Sequence, residues 1–456
     1  MEFHFASWIT SPFMLMFSAV FLGLAFGKIS LGKFNFGLSG TLFSGLFIGW
    51  LVYSYGDSLA ESHPYYEAAQ NMIANGIIPK GYFYLFLILF VAAVGLLASE
   101  DILVVLKKYG TRFIILGFVM TFIGAAATYG MVLIGSGSDN YQIAGTYTGA
   151  LTSSPGLGAA LETTIDDATD KANNFSELPE AERKEILNKI DSNGQLTVDN
   201  TSSLTEEQKA AFVKHSESGV GLGHAIGYPF GVLIVIFVVN FFPVIFGIDV
   251  EKEKKEFNKE MAEARAASGG EDIEPVTFDI LAFAVVCFLG FTLGKFKIFL
   301  GPLGMFGLGT TGSVLVVSLL LGSIGKIGPM TFRMDSDVLG VIRKLSLAFF
   351  LAVVGLRYGY NVVDAIMGNG LFLVMVALVV GIVSLLVGYI LGRKIFGINW
   401  IMLSGALCGG MTSTPGLGAA VDAVDSDGPA TGYGAVYPFA LMGMVIFTII
   451  LHLLPM

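Results

Sequence analysis

Charge is scarce in this sequence: 14% of its 456 residues are Asp, Glu, Lys or Arg, against about 25% in an average soluble domain. With 54% hydrophobic residues and a mean hydropathy of +0.73, that shortage excludes the soluble multidomain enzyme that length alone suggests. A basic surplus is missing as well. The 26 Lys and Arg stand against 36 Asp and Glu, a net charge of −10, so no electrostatic footprint for nucleic acid exists and none is expected as a partner. Cysteine is nearly absent. Cys287 and Cys408 both fall in apolar stretches, which leaves neither a disulfide framework nor a thiolate metal site; no metal and no cofactor is expected. The leading residues MEFHFAS hold Glu2 and no Lys or Arg. A secretory leader needs a basic start, so the apolar stretch from Trp8 to Ile29 is read as a retained membrane helix.

Long apolar windows are abundant. Crossing about 30 Å of hydrocarbon takes roughly 20 helical residues, and windows of that kind lie near 8–28, 37–53, 81–98, 113–134 and 220–247, then near 278–294, 302–323, 345–358, 371–392 and 433–454. That makes ten expected spans in two groups of five. Two further stretches, 143–161 and 401–421, are rich in Gly, Ser and Thr around a central Pro, a poor composition for a plain spanning helix.

The two groups repeat each other. FLGLAFGKI at 21–29 matches FLGFTLGKF at 288–296, FVAAVGL at 90–96 matches FLAVVGL at 350–356, TSSPGLGAA at 152–160 matches TSTPGLGAA at 412–420, and YPF recurs at 228–230 and 437–439. Four landmarks in one order define a duplication. The first half, 1–247, carries a polar insertion, 162–219; a charged linker, 248–277, leads to the second half, 278–456. Five spans per half, with the Pro stretches re-entrant, put sixteen Lys and Arg in cytoplasmic loops and four in short outer loops. Six spans per half reverse that bias, so the positive-inside rule favours two inverted halves. The fold expected is therefore an all-α polytopic membrane protein of two inverted five-span repeats, each with a broken or re-entrant Pro-containing hairpin.

The insertion reads as an extracytoplasmic pair of helices, SELPEAERKEILNKI and SLTEEQKAAF, each with a Ser available as cap. DSNGQLTVDN between them lacks the spacing and closing Glu of a calcium loop. The linker run EKEKKEFNKEMAEARAA reads as a solvated, salt-bridged helix.

Broken backbone at membrane depth is tolerated only inside protein or along an aqueous cavity, so the paired Pro motifs mark the substrate path. Pro is well placed in a first helical turn, and the preceding hydroxyls are natural caps and ligands. Two half-helix N-termini brought together near the midplane offer amide N–H groups and positive dipole ends to an anion. The substrate-binding set expected is Thr152, Ser153, Ser154, Pro155 and Gly156 with Thr412, Ser413, Thr414, Pro415 and Gly416. Arg357 joins it as a possible carboxylate partner at the end of a span, its first-half counterpart being the apolar Leu97; snorkelling to the interface is the competing reading. Lys28 and Lys295 recur as a Gly-Lys pair and are read as snorkelling. His224 and Asn240 are read as helix–helix hydrogen-bonding groups, Tyr228-Pro229 and Tyr437-Pro438 as symmetric kinks, and Asp139 as a residue at the outer mouth of the first motif.

GALTSSPGLGAA at 149–160 and GGMTSTPGLGAA at 409–420 resemble the duplicated signature of the bacterial aspartate:alanine exchanger family. The resemblance covers both halves. It implies exchange of small amino acids or dicarboxylates in a bacterial cytoplasmic (inner) membrane, ten spans and a cytoplasmic central loop. Relatives carry regulatory ligand-binding domains in that loop; the residues at 248–277 leave no room for one. The function expected is an antiporter that moves one bundle against the other, elevator-fashion, by alternating access. The alternative is a sodium- or proton-coupled organic-anion symporter or an ion channel; no enzyme is expected, since no base pairs with the motif hydroxyls. The partners expected are a small carboxylate substrate, the lipid bilayer and a second copy in a homodimer.

Overall fold

A computed structural model describes residues 10–454 apart from 29, 32–33, 36, 100–101, 135–138, 192–194, 269–273, 300–304, 307 and 368–369. The first half holds α1 (Pro12–Gly27), α2 (Gly40–Asp57), α3 (Tyr66–Ala74), α4 (Lys80–Ala98), α5 (Ile102–Ile134), α6 (Asn140–Ala150), α7 (Ser154–Asn173), α8 (Glu180–Ile190) and α9 (Glu206–Ile245). After the linker helix α10 (Val250–Ser268) come α11 (Ile280–Leu293), α12 (Gly309–Ile324), α13 (Ser336–Met367), α14 (Leu371–Tyr389), α15 (Trp400–Gly410), α16 (Thr414–Val424) and α17 (Gly428–Leu453). Two-residue antiparallel hairpins join α1 to α2 (Ser30–Leu31 with Phe34–Asn35) and α11 to α12 (Ile298–Phe299 with Met305–Phe306). A third precedes α13 (Lys326–Ile327 with Met330–Thr331).

Among the described residues six helices, α4, α5, α9, α13, α14 and α17, are long and apolar enough to cross a membrane. The chain is a multi-pass membrane protein. The other four expected spans are helices too, α1, α2, α11 and α12, of 16, 18, 14 and 16 residues. Contacts recur in matched pairs across the two halves. Helix α2 packs on α13 as α12 packs on α4; α5 meets α17 as α14 meets α9; α7 meets α17 as α16 meets α9. The halves are therefore interleaved, each burying its apolar faces against the other in one large core, with a smaller cluster where α1 and α3 meet α13. Glycine sets the closest of these approaches: a Cβ at Gly49 lies 2.3 Å from the Leu356 carbonyl oxygen, and one at Gly359 lies 2.1 Å from that of Leu46.

Three local expectations change. The run SLTEEQKAAF does not form a helix of its own but opens the 40-residue α9, and its cap is Thr205 in a reciprocal capping box with Gln208. Helix α8 begins after Pro179 without a side-chain cap. The inserted segment is continuous with the membrane part, because α7 and α9 run straight into it, and Phe175, Leu187, Leu204 and Phe212 bury a small core with Tyr141 and Val220. The linker helix is only half solvated: Glu253, Phe257 and Met261 recur every four residues on one face and are buried. Glu253 holds Arg393 (Oε1 to Nη2, 2.5 Å) and accepts the Trp400 amide at the start of α15 (2.8 Å). The acidic end of this face thus sits on a helix N-terminus, where its charge is favoured.

Candidate functional site

The two Pro motifs break their helices in the same way. Helix α6 ends on Leu151, and the chain turns through Thr152 at φ 52°; α15 ends on Met411 and turns through Thr412 at φ 49°. The Thr152 and Ser153 amides donate to the Gly149 and Thr148 carbonyls, and the Thr412 and Ser413 amides to those of Gly409 and Cys408. These are Schellman terminations with threonine in the left-handed position that glycine usually takes. A β-branched residue there is strained, and both strained positions carry a hydroxyl into the same place.

The half-helices that follow are capped alike. Ser153 Oγ accepts the Gly156 amide (3.1 Å) and Ser413 Oγ accepts the Gly416 amide (3.2 Å). Pro155 and Pro415 bring no N–H, and the Leu157 and Leu417 amides are taken by the Ser153 and Ser413 carbonyls. The amides of Ser154 and Thr414, first in each half-helix, are the donors these caps leave over. Fewer amides therefore face the centre than the bare motif suggests.

The motifs meet. Thr152 Oγ1 donates to the Met411 carbonyl (3.0 Å), and Thr412 Oγ1 donates to the Leu151 carbonyl (2.8 Å). Each threonine closes the end of the helix that precedes the other. A cavity of ≈310 Å³ opens beside this crossing, lined by Thr152, Thr412 and Thr414, by Gly158 and Ala159 of α7, by Tyr228 and Tyr437, by Thr310 and Thr311, and by the exposed Lys295 and Lys297 at its mouth. That size suits a small solute. Its described lining holds two cations and no carboxylate.

Three members of the expected set, Thr152, Thr412 and Thr414, line this cavity. Ser153 and Ser413 are fully buried beneath it as caps. Gly156 and Gly416 pack against Met444 and Val235, and Pro415 is buried. The side chains of Ser154 and Pro155 lie outside the described residues. Arg357 is not brought to the cavity: Nη1 binds the Ile78 carbonyl and that of Asn75 (3.3 Å), holding the turn at Gly76, φ 70°. His224 Nδ1 pairs with Thr148 Oγ1 (2.9 Å) between α9 and α6, and Asn240 bonds back to the Ile236 carbonyl of its own helix. Asp139 caps α6 and pairs with Lys189 of the inserted segment (3.1 Å).

Lys295, Lys297, Thr310 and Thr311 escaped sequence reasoning as site residues. A signal for this region was present, because FGL recurs at 36–38 and 306–308, just before α2 and α12. The repeated YPF was a signal too: its tyrosines, Tyr228 and Tyr437, line the cavity. On the far side of the crossing, the Leu38 amide donates to Asp422 Oδ2 at the end of α16 (3.0 Å), and Arg343 pairs with Asp427. Burial pushes the Asp427 carboxyl up, and Arg343 opposes that shift.

A family profile described as "Predicted Permease Membrane Region" matches residues 15–244 and 282–453, both halves without the linker. The chain belongs to the aspartate–alanine exchanger family. It is similar to uncharacterized transporters of Bacteroides thetaiotaomicron (40% identity over 169 residues) and Bacteroides fragilis (41% over 170), each alignment covering 37% of this chain and 32% of the relative. A third, from Desulfotalea psychrophila, is 33% identical over 171 residues, 38% of this chain and 32% of the relative. The chain thus aligns with about a third of the length of these transporters. The matching profile is that of a permease region, and these relatives are named transporters.

Proposed function

We propose that this member of the exchanger family is a secondary antiporter of small carboxylate solutes, amino acids or dicarboxylates, in a bacterial inner membrane. Its two halves are inverted about the Thr152–Thr412 crossing, and the cavity beside that crossing is the substrate site. The cavity lining carries this reading: hydroxyls from both Pro motifs at the base, Lys295 and Lys297 at the mouth, and no carboxylate among the described lining residues. A cavity with that charge favours anions, and a coupling cation ordinarily asks for acidic ligands. The Thr414 hydroxyl and the amides of Ser154 and Thr414 hold the carboxylate, on a frame fixed by the Thr152–Thr412 crossing; alternating access proceeds by movement of one bundle against the other, elevator-fashion. Counterflow tests it: purified protein in proteoliposomes loaded with unlabelled aspartate, alanine or succinate takes up the labelled solute without a sodium or proton gradient. Uptake that requires either gradient and ignores the internal solute replaces exchange with coupled symport.

A further inference from the structure

Each half ends its first helix on a Gly-Lys pair, Gly27-Lys28 and Gly294-Lys295, of which only Lys295 has entered the proposed site so far. Its setting is the same twice. Helices α1 and α2 pack together as α11 and α12 do, with glycine at the contact: a Cβ at Gly27 lies 2.1 Å from the Gly37 carbonyl oxygen, and one at Gly294 lies 2.9 Å from Thr310 Cα. A short β-hairpin follows each lysine. Each connection then reaches the half-helix of the opposite half, Leu38 just after the first hairpin to Asp422 on α16, and strand Met305–Phe306 of the second hairpin to α7. Lys28 and Lys295 therefore stand at equivalent places, one toward the α16 end of the central path and one toward the α7 end. Both side chains are exposed.

The two ends differ in one respect. A Cβ at Gly158 on α7 meets nothing within 4 Å, whereas a Cβ at the matching Gly418 on α16 lies 2.2 Å from Leu347 Cδ1. The path is open beside α7, where Lys295 lines the mouth, and closely packed at Gly418 on α16, the half-helix to whose end the segment after the Lys28 hairpin leads.

We propose that Lys28 and Lys295 are a matched pair of capture residues, each drawing a carboxylate into the path from its own side of the membrane and idle while that side is closed. An exposed cation at a concave mouth raises the local concentration of an anion without holding it tightly, which suits a group that must release substrate in each cycle. The inference rests on the exchange reading above.

The test is aspartate exchange in right-side-out and inside-out vesicles, with KM measured from each face for Lys28→Gln, Lys295→Gln and Lys295→Gln/Lys297→Gln. We expect about a three- to fivefold rise in KM, the size of one exposed ion pair, from one face for Lys295→Gln and from the opposite face for Lys28→Gln. The effect shrinks at high salt, and Lys28→Arg and Lys295→Arg restore KM. The double variant, which also removes the second lysine of the open mouth, shows the larger rise from the same face as Lys295→Gln. Wild-type vesicles that exchange no carboxylate overturn the exchange reading and this inference with it. Wild-type exchange with KM unchanged in every variant, or raised equally from both faces, overturns the inference alone.

Discussion

Thr152 and Thr412 each donate their hydroxyl to the carbonyl that immediately precedes the other, Met411 and Leu151, across 260 residues of sequence. Both adopt left-handed backbone, a conformation that costs an L-residue about 1–2 kcal/mol. The crossing is thus held in place by the surrounding helices, and its hydroxyls sit where the two half-helices begin.

Thr152→Val and Thr412→Val keep the shape and the strain but remove one crossing bond each. Each is expected to lower stability by about 1 kcal/mol, seen as a small drop in Tm in detergent, and to reduce counterflow at least tenfold. Thr152→Gly relieves the strain, so its Tm should stay near that of the wild type while exchange is still lost. Full exchange in Thr152→Gly removes the hydroxyl from the mechanism.

Ser153 and Ser413 are buried and turned toward the Gly156 and Gly416 amides. Ser153→Ala and Ser413→Ala should therefore cost about 0.5–2 kcal/mol as lost N-caps, lower Tm and leave KM unchanged, with Asn restoring Tm. A raised KM at unchanged Tm marks the serines as substrate ligands instead.

Asp279 accepts the Ala282 amide at the start of α11 and the Thr331 amide of the hairpin before α13, both at 2.9 Å. These bonds hold its carboxyl below the ordinary carboxylate value. For a lowered carboxylate the stabilisation is fully present above the ordinary value and is lost as pH falls through the folded value. Asp279→Ala should lower Tm at pH 7, and the gap from wild type should close below about pH 4.

The proposed inversion of the halves would place the inserted segment and the linker on opposite sides of the membrane. Cysteines at the exposed positions Glu177 and Glu251 should label with an impermeant maleimide from opposite faces of oriented vesicles. Labelling of both from the same face rejects the inverted arrangement.

The long spans were legible because a sustained apolar composition has few other uses. Windows 81–98, 113–134, 220–247, 345–358, 371–392 and 433–454 fall on the six long helices to within two residues. The Pro motifs were legible for a local reason: Ser-x-x-Gly with Pro in the first turn is itself a helix start. Less visible were properties set by distant partners. Glu253 reads as one more charge in a solvated helix until Arg393 and the N-terminus of α15 are packed against it. Arg357 reads as an intramembrane cation until the carbonyls of Asn75 and Ile78 are seen to use it.

By itself the sequence determined a duplicated, lipid-facing α-helical chain with two broken helices, since hydrophobic length, repeat order and the Ser-Pro turn are all local properties of the chain. Only the tertiary structure decided that the two breaks touch, that the serines serve the helices while the threonines face a cavity, and that Lys295 stands at its mouth. Those facts depend on how interleaved halves pack. A hydroxyl or an ammonium acquires its role from the carbonyl, carboxylate or open space that packing sets beside it.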